Sequence, residues 1–227
     1  MGKTAALILA AGKSLRMQQA VPKQFMIVKG KPLFIYSVEA YLNEVDLTVV
    51  VTNEDAVGDT KQMLEEAGLN GLVPVISGGE ERYDSSYQGI LYVEKMGGFD
   101  TVMIHDAARA FITADVIAEA RRMAESQGTA VAAVPLKDTV KVADEKGRVL
   151  DTPDRRSLYA VQTPQAFSLS LIKEAYRRFF EAKEKDPSLT VTDDASVVER
   201  FTDHEVMLTA GSYGNVKITT AEDLKWL

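Results

Sequence analysis

The sequence contains no cysteine, which excludes disulfide bonds, thiolate metal sites and a cysteine nucleophile. Histidine is also scarce, with 2 residues in the whole chain. No nucleophile accompanied by a general base is recognisable, and no group of histidine and acidic residues has the spacing of a transition-metal site. We therefore expect that any catalysis depends neither on covalent attack by a side chain nor on a transition metal.

Long apolar runs and a positive net charge are missing as well. No run approaches the roughly 20 apolar residues of a membrane-spanning helix, and no charged-then-apolar leader with a small-residue cleavage site is recognisable. We therefore expect a cytoplasmic protein that does not bind membranes. The formal net charge is -7, so binding to nucleic acid is not expected, because that affinity comes mainly from neutralising phosphates. An anionic ligand would have to meet clustered cations and backbone N–H groups.

The sequence does contain a regular alternation of apolar strands and helices. Its 227 residues, 46% hydrophobic and 26% charged, are typical of a single globular domain over residues 1–227. Strands are predicted at Thr4–Leu9, Leu47–Thr52, Leu72–Ile76, Thr101–Ile104 and Thr129–Val134. Helices are predicted at Leu33–Leu42, Glu54–Ala67, Arg82–Met96 and Thr113–Gln127, with Gly68, Gly97 and Gly128 directly after the last three. This alternation predicts a Rossmann-like, doubly wound, mostly parallel α/β sheet with right-handed connections.

The alternation breaks at Lys137–Leu150 ("KDTVKVADEKGRVL"), which predicts a hairpin of two short strands around "DEKG". The segment is too polar for a buried pair of strands, so we interpret residues 137–160 as an arm that protrudes from the sheet. An isolated hairpin is only marginally stable in water, so the arm should pack on something, and another copy of the chain is one candidate. Further helices are predicted at Leu169–Lys183 and Asp194–Phe201, strand-like segments at Val206–Thr209 and Val216–Thr219, and a last short helix near Ala221.

The first strand leads into "ALILAAGKSLRM" (Ala6–Met17), whose centre looks like the end of a P-loop. A P-loop requires G-x-x-x-x-G-K-[ST], and with Gly12 as its second glycine the first would fall at Leu7, inside the strand. The dinucleotide pattern G-x-G-x-x-G fails too, because Gly12 stands alone. What remains is a strand, a turn of small residues through which a base or phosphate can approach the backbone, and two cations, Arg16 and Lys23. The alternative is a small-residue turn packed on its own sheet beside solvent-exposed basic residues.

Seven motifs along the chain occur in a characteristic order. They are L-x-L-A-A-G…R-M…P-K-Q-F at the start, "GGEERYDSSYQGI" (Gly78–Ile90), "HDAAR" (His105–Arg109), "DTVK" (Asp138–Lys141), "DRRSLYAVQTPQAF" (Asp154–Phe167), "TDDAS" (Thr192–Ser196) and "NVKIT" (Asn215–Thr219). The set spans nearly the full chain and resembles the sugar-nucleotide cytidylyltransferases, most closely the 2-C-methyl-D-erythritol 4-phosphate cytidylyltransferase family of the non-mevalonate isoprenoid pathway. Two positions depart from the family pattern: Ser14 stands where a glycine is usual, and Ala110 where a proline is usual.

The resemblance implies a cytidylyltransferase with a fold of the nucleotide-diphospho-sugar transferase type. Such an enzyme joins a sugar-alcohol phosphate to the α-phosphorus of CTP and releases pyrophosphate. A phosphate monoester has a second pKa of about 6 and is largely ionised at pH 7, so the acceptor needs no general base. The reaction instead requires positioned cations, N–H groups and Mg²⁺ that stabilise charge as two anions meet. Mg²⁺ is expected mostly on the triphosphate oxygens, with Asp106 as a helper.

The resemblance also assigns roles to individual residues. Catalytic roles fall to Arg16, Lys23, Arg155 and Lys217, which neutralise the triphosphate and orient the attacking phosphate. Nucleotide binding falls to Ala10, Ala11, Gly12, Ser14, Gly79, Glu80 and Ser85. Substrate binding falls to Asp106, Arg109, Thr139 and Thr163. In the family the arms of two subunits embrace, so a homodimer whose acceptor pocket takes residues from both chains is expected.

Several of these residues also have plainer interpretations. Lys217 could be a solvated lysine at the end of a strand, and Gly79–Ser85 could be only a glycine turn and a polar helix start. We interpret His105 as a structural hydrogen-bonding residue and His204 as a surface residue. The Asp193-Asp194 pair is interpreted as a helix cap rather than a metal pair.

Two other functions remain open from the sequence. A sibling enzyme that uses ribitol 5-phosphate shares most of the motifs, and a nucleotide-binding regulator could keep the fold without catalysis. The combination of Arg16, Lys23 and Lys217 favours an enzyme, because a sensor would not need every cation that stabilises a transition state. The sequence separates the two acceptors only by degree.

Overall fold

The computed structural model describes residues 2–12, 22–219 and 223. In chain order its strands are β1 (Lys3–Leu9), β2 (Ile27–Val28), β3 (Lys31–Pro32), β4 (Leu47–Thr52), β5 (Val75–Ser77), β6 (Phe99–Asp106), β7 (Thr129–Pro135), β8 (Val142–Ala143), β9 (Val149–Asp151), β10 (Tyr159–Ser168) and β11 (Leu208–Ala210). Seven of them form a central sheet in the spatial order β11-β7-β10-β6-β1-β4-β5, while β2-β3 and β8-β9 form two separate pairs.

The central sheet is mostly parallel, which confirms the predicted fold class. Strand β1 pairs in parallel with β4 and β6, β4 with β5, and β7 with β11. The exception is β10, which is antiparallel to both of its neighbours, β6 and β7. This strand is missing from the predicted set. Pro164 lies within it, and proline is normally confined to edge strands and bulges. The structure accommodates Pro164 where the pairing with β7 shifts register between Val161 and Gln165.

Helices pack on both faces of the sheet. In the described residues they are α1 (Leu33–Tyr41), α2 (Val57–Glu66), α3 (Arg82–Met96), α4 (Ala114–Gln127), α5 (Leu169–Lys185) and α6 (Asp194–Phe201). The bounds of α3 and α6 are those predicted. Helix α3 ends at Gly97, whose φ of 72° is unfavourable for other residues. Helix α6 begins at a capping box in which Asp193 accepts a hydrogen bond from the backbone of Ser196, as the interpretation of this pair as a cap requires.

The core has two layers because side chains of a β-strand alternate between its faces. On β1, Ile8 points to the layer formed with α1, α2 and α4. Its neighbour Leu7 points to the layer formed with α3, α5 and α6. Burial of β1 on both faces is typical of a parallel strand covered by helices on each side. No helix in the described part of the chain is both long and apolar enough to cross a membrane.

The predicted hairpin is present as β8 and β9, joined through a turn in which Gly147 has a φ of 77°. The hairpin pairs with no strand of the central sheet in the described residues. Several boundaries differ from prediction. The strand predicted at Leu72–Ile76 is Val75–Ser77, the helix predicted at Glu54–Ala67 is Val57–Glu66, and Tyr159 and Ala160, assigned to the arm, already belong to β10. The segment Val216–Thr219, predicted as a strand, has no strand pairing. The helix predicted near Ala221 falls largely outside the described residues.

Candidate active site

A cleft of about 430 Å³ opens at the carboxyl ends of β1 and β6. Among the described residues it is lined by Leu9, Ala11, Gly12, Lys23, Gln24, Glu80, Glu81, Arg82, Ser85, Asp106, Ala108, Lys217 and Thr219. This is the edge of an open α/β sheet at which ligands bind. Seven residues assigned from the sequence meet here: Ala11, Gly12, Lys23, Glu80, Ser85, Asp106 and Lys217.

The small-residue turn after β1 is fixed by a side chain that the sequence analysis left without a role. The Gln24 amide nitrogen donates to the carbonyl oxygens of Ala10, at 2.6 Å, and Gly12, at 3.1 Å. Ala10 and Gln24 are each 2% exposed. A buried amide with two backbone partners holds the turn open toward the cleft. The sequence shows only that a polar residue stands between Lys23 and Phe25, and this pattern is not specific enough to predict the role of Gln24. Ser14 and Arg16 lie outside the described residues.

The glycine turn before α3 packs tightly against the first turn of that helix. A Cβ on Gly79 would lie 2.3 Å from Cβ of Asp84, so glycine is required here by packing alone. The Gly79 N–H donates to the Ser85 hydroxyl at 3.2 Å, and this hydroxyl donates to the Glu81 carbonyl at 3.3 Å. This stretch therefore does form a helix start, as the plainer interpretation expects. The helix start also lines the cleft, where Glu80 is exposed.

At the bottom of the cleft, Asp106 is held between two cations. Its Oδ1 accepts from Arg82 Nε at 3.3 Å, and its Oδ2 accepts from Lys217 Nζ at 2.6 Å. Burial alone raises the pKa of Asp106, but attraction to Arg82 and then to Lys217 outweighs it, and the pKa lies well below its usual range. The carboxylate is therefore ionised throughout the physiological range and fixes the direction of Lys217. Arg82 was not predicted, because the first residue of a helix carries no sequence signal for such a contact.

Lys217 reaches the cleft on a segment without regular secondary structure and not, as predicted, on a strand. The segment is held on both sides of the lysine. The Ile218 N–H donates to the Ala108 carbonyl at 2.9 Å, and the Asn215 side chain donates to the Thr163 carbonyl at 2.8 Å. The Lys217 side chain is 39% exposed, but its ammonium group pairs with Asp106 at the cleft, and the backbone on either side of it is anchored to β10 and to the segment that follows β6. Lys217 is therefore more than a solvated surface lysine.

Arg109, assigned to substrate binding, does not line the cleft in the described residues. Its Nη1 donates to the Asn215 carbonyl at 2.8 Å and its Nη2 to the Val161 carbonyl at 3.5 Å. Burial lowers the pKa of Arg109, and the nearby Asp106 opposes that shift. In this structure Arg109, in the segment that follows β6, therefore connects to β10 and to the segment that carries Lys217.

His105 and Thr163 lie directly behind Asp106. The Thr163 hydroxyl accepts from the Asp106 N–H at 3.1 Å and lies 3.0 Å from Nδ1 of His105. Nε2 of His105 lies 3.2 Å from the Arg109 carbonyl. Since a carbonyl only accepts, Nε2 carries the proton and Nδ1 accepts from Thr163. Burial lowers the pKa of His105 to about 4 despite the attraction of Asp106. His105 is thus neutral and structural, and 0% exposed.

The two assigned residues of the arm lie away from the cleft. Thr139 and Arg155 are exposed and do not line it. Arg155 donates from Nη1 to the Lys137 carbonyl at 2.9 Å, at the base of the arm. Its neighbour Arg156 pairs with Asp154 instead. Within one chain the structure therefore does not bring the arm residues to the cations of the cleft.

The residues at the cleft do not form a cage for a resident metal ion. The described residues contain no group of three or more histidine and acidic side chains that could hold one. Asp106 points into the cleft, but each of its oxygens already accepts a hydrogen bond from a cation. A magnesium ion that arrives with the triphosphate, coordinated mostly by phosphate oxygens and water, fits this donor set better.

Taken together, the cleft can bind a polyanion and stabilise charge on it, and none of its described residues is placed for covalent attack. An open α/β sheet with lysine and arginine side chains beside a cleft at its carboxyl edge is an arrangement that suits a nucleotidyltransferase. Comparison with known proteins narrows this class. The profile of the 2-C-methyl-D-erythritol 4-phosphate cytidylyltransferase family matches residues 4–226. The chain belongs to this family.

Individual relatives agree with the family assignment. The chain is 39% identical over 226 residues to the 2-C-methyl-D-erythritol 4-phosphate cytidylyltransferase of Clostridium botulinum strain 657, covering 99% of this chain and 95% of the relative. It is 41% identical to the enzyme of that name from Caldanaerobacter subterraneus, covering 96% and 94%. The crystal structure of 4-diphosphocytidyl-2C-methyl-D-erythritol synthase from Anaerococcus prevotii superposes with a TM-score of 0.84 at 28% identity, covering 99% and 94%.

Proposed function

We propose that this chain transfers the cytidylyl group of CTP to 2-C-methyl-D-erythritol 4-phosphate. The products are 4-diphosphocytidyl-2-C-methyl-D-erythritol and pyrophosphate, and the step belongs to isoprenoid precursor biosynthesis. An oxygen of the acceptor phosphate attacks the α-phosphorus in line, and the bond from this phosphorus to the bridging oxygen breaks. Pyrophosphate leaves with the electron pair. No proton has to move, because the attacking phosphate is already ionised at pH 7.

The observation that carries the proposal is the pairing of Lys217 with an ionised Asp106 inside the cleft, where Lys23 also lies. We assign Lys23, and Arg16 beyond the described residues, to the triphosphate and its transition state. Lys217 orients the attacking phosphate against the α-phosphate. Asp106 holds Lys217 in place and accepts hydrogen bonds from acceptor hydroxyls. Such preorganised charges are the largest source of rate acceleration in reactions of this kind.

The nucleoside end of CTP is assigned to the other wall of the cleft. Ala11 and Gly12 leave room for the nucleotide beside the backbone, and the turn at Gly79 and Glu80 meets the cytosine and ribose. Mg²⁺, when bound to the triphosphate, neutralises charge on the phosphate oxygens. Asp106 is assigned as a helper that would contribute an additional oxygen to that ion.

A pyrophosphate-release assay with both acceptors tests the proposal. Wild-type protein with CTP and Mg²⁺ should turn over 2-C-methyl-D-erythritol 4-phosphate far faster than ribitol 5-phosphate, and the reverse preference would establish the sibling activity. Lys23→Ala should lower kcat on the order of 10²–10³-fold while CTP binding persists. Lys95→Ala, at the exposed far end of α3, is the matched control and should turn over normally. A well-folded wild type that binds CTP without releasing pyrophosphate would make the protein a regulator.

We also propose that the protein acts as a homodimer in which the arm of each chain completes the partner's acceptor pocket. Two observations support this proposal. Thr139 and Arg155 lie outside the cleft of their own chain. Large apolar side chains are exposed on the arm, namely Val142, Val149 and Leu150, and at the adjoining start of β10, namely Tyr159 and Val161. Several large apolar side chains exposed on one hairpin and the strand that follows it favour a protein interface.

Mixing two inactive variants tests the shared pocket. Arg155→Ala and Lys217→Ala are each expected to lose turnover, whereas Arg156→Ala, the adjacent control, is expected to keep it. In a mixed dimer one pocket receives both defects and the other receives none. Mixing the two variants after subunit exchange should therefore restore about a quarter of wild-type activity. A strictly monomeric active species on sedimentation, or a mixture with no restored activity, would contradict the shared pocket.

A further inference from the structure

Asp194 is a buried carboxylate that contacts Arg82, a residue of the cleft lining. It is the first residue of α6 and is 0% exposed. Its Oδ1 accepts a hydrogen bond from the Tyr176 hydroxyl at 2.6 Å. Its Oδ2 lies 2.7 Å from Nη1 of Arg82 in an ion pair. Asp194 is not among the described residues that line the cleft.

Arg82 connects this buried carboxylate to the reaction site. One end of its guanidinium, Nη1, meets Asp194, while Nε meets Asp106 at 3.3 Å. Asp106 in turn accepts from Lys217 through its other oxygen. Burial lowers the pKa of Arg82, but attraction to Asp194 and then Asp106 outweighs it, so that the pKa lies above its usual value. Four alternating charges therefore run from the interior to the cleft.

We propose that Asp194 is a positioning residue for the cytidylyl transfer, acting through Arg82 on Asp106 and Lys217. The inference rests on the function proposed above. By holding Nη1, Asp194 limits Arg82 to one oxygen of Asp106. The second oxygen remains available to Lys217, whose ammonium group is thereby aimed at the reacting phosphates.

Removal of the charge on Asp194 has a definite consequence for this arrangement. Asp106 would be the remaining acidic partner of Arg82 among the described residues. A guanidinium prefers to bind a carboxylate through two parallel hydrogen bonds. Arg82 would then occupy both oxygens of Asp106 and displace Lys217. A displacement of about 1 Å in a group that orients the reacting atoms can cost on the order of 10²-fold in rate.

The test is a double-mutant cycle on the full-length protein, with kcat and the KM for CTP measured separately. Asp194→Asn and Arg82→Gln should each lower kcat on the order of 10–10²-fold, with the KM for CTP changed less than about threefold. The double variant should be no slower than Arg82→Gln alone, because Asp194 acts only through Arg82. The matched control is Asp193→Asn, which removes the same charge from the adjacent residue that caps α6. It should keep kcat within about twofold, whatever happens to its melting temperature.

A purely structural role for Asp194 predicts a different pattern. The reductions in kcat caused by the two substitutions would then add in the double variant, and they would parallel the decrease in melting temperature. Either result would overturn the inference. If Asp194→Asn does not fold, Arg82→Lys decides the question, because its point charge cannot hold both carboxylates at once. Wild-type kcat in that variant would overturn the inference, and a loss with normal melting would support it. Wild-type protein without any turnover would remove the proposed function and this inference together, whereas normal turnover in Asp194→Asn would remove the inference alone.

Discussion

Lowering the pH from 7.5 to 5 should destabilise the protein through His105. This residue is 0% exposed and is neutral in the fold, with its proton on Nε2 facing the Arg109 carbonyl. Burial lowers its pKa from 6.5 to about 4. The unfolded chain therefore takes up a proton at His105 before the folded chain does. The stabilising contribution is complete above pH 6.5 and is lost as the pH falls through the window from 6.5 to 4.

The size of this effect follows from the two pKa values. One pKa unit corresponds to about 1.4 kcal/mol. The difference between the pKa of 6.5 in the unfolded chain and about 4 in the folded chain therefore corresponds to about 3 kcal/mol in the free energy of unfolding. At pH 5 about 2 kcal/mol of it should already be lost. Protonated His105 would also present two donors to a site that offers the Thr163 hydroxyl, which already accepts from the Asp106 N–H.

Urea denaturation of wild type and His105→Gln at a series of pH values measures this contribution. Glutamine can donate to the carbonyl and accept from Thr163, but it does not titrate. The free energy of unfolding of wild type should fall about 2 kcal/mol more than that of the variant between pH 7.5 and 5. Carboxylates common to both proteins cancel in this difference. Parallel pH profiles, differing by less than about 0.5 kcal/mol, would refute the assignment of His105 as a buried neutral residue.

Two further predictions concern residues on opposite edges of the sheet. Gln24→Ala leaves the carbonyls of Ala10 and Gly12 without their side-chain donor. The variant should lose about 1–3 kcal/mol of stability, and its KM for CTP should rise several-fold. An unchanged KM would contradict the role of Gln24 in holding the turn. Gly128→Ala forces a φ of 80° on alanine and puts its Cβ 2.9 Å from Nε2 of His204. Calorimetry should record a free energy of unfolding that is about 1–2 kcal/mol lower than that of wild type, and kcat should be unchanged. A reduced kcat at a temperature where the variant is folded would show that this turn influences the active site, against expectation.

The sequence predicts the fold well where a local signal determines the structure. Helices α3 and α6 have their predicted bounds because Gly97 ends one and the Asp193 cap begins the other. The prediction fails at β10, since Pro164 argues against a strand when only the neighbouring residues are considered. What permits proline there is the pairing of β10 with β6 and β7, together with a break in register. Such pairing depends on residues far away in the chain, and no local pattern reports it.

The residues of the candidate site likewise fall into those that the sequence predicts and those that it does not. Lys23, Asp106 and Lys217 could be assigned from motifs, and the structure gathers all three at one cleft. Arg82 and Asp194 could not, because their contacts join α3, α6 and β6 only in the folded chain. Arg109 was assigned to substrate binding from its motif, yet its guanidinium is occupied by the Asn215 and Val161 carbonyls. A motif reports which residues a family keeps together, but not which of them reach the reacting groups.

The partnership of Lys217 with Asp106 spans 111 positions of the chain, and that spacing has a consequence during translation. Chains emerge from the ribosome amino terminus first, and their early parts begin to organise while later parts are still being made. Strands β1 and β6 can therefore meet, and present Asp106, well before position 217 is exposed. A nascent chain could therefore form the pocket for the triphosphate before it contains the ammonium group of Lys217. It would become competent for cytidylyl transfer only after Lys217 had been synthesised and had bound to Asp106.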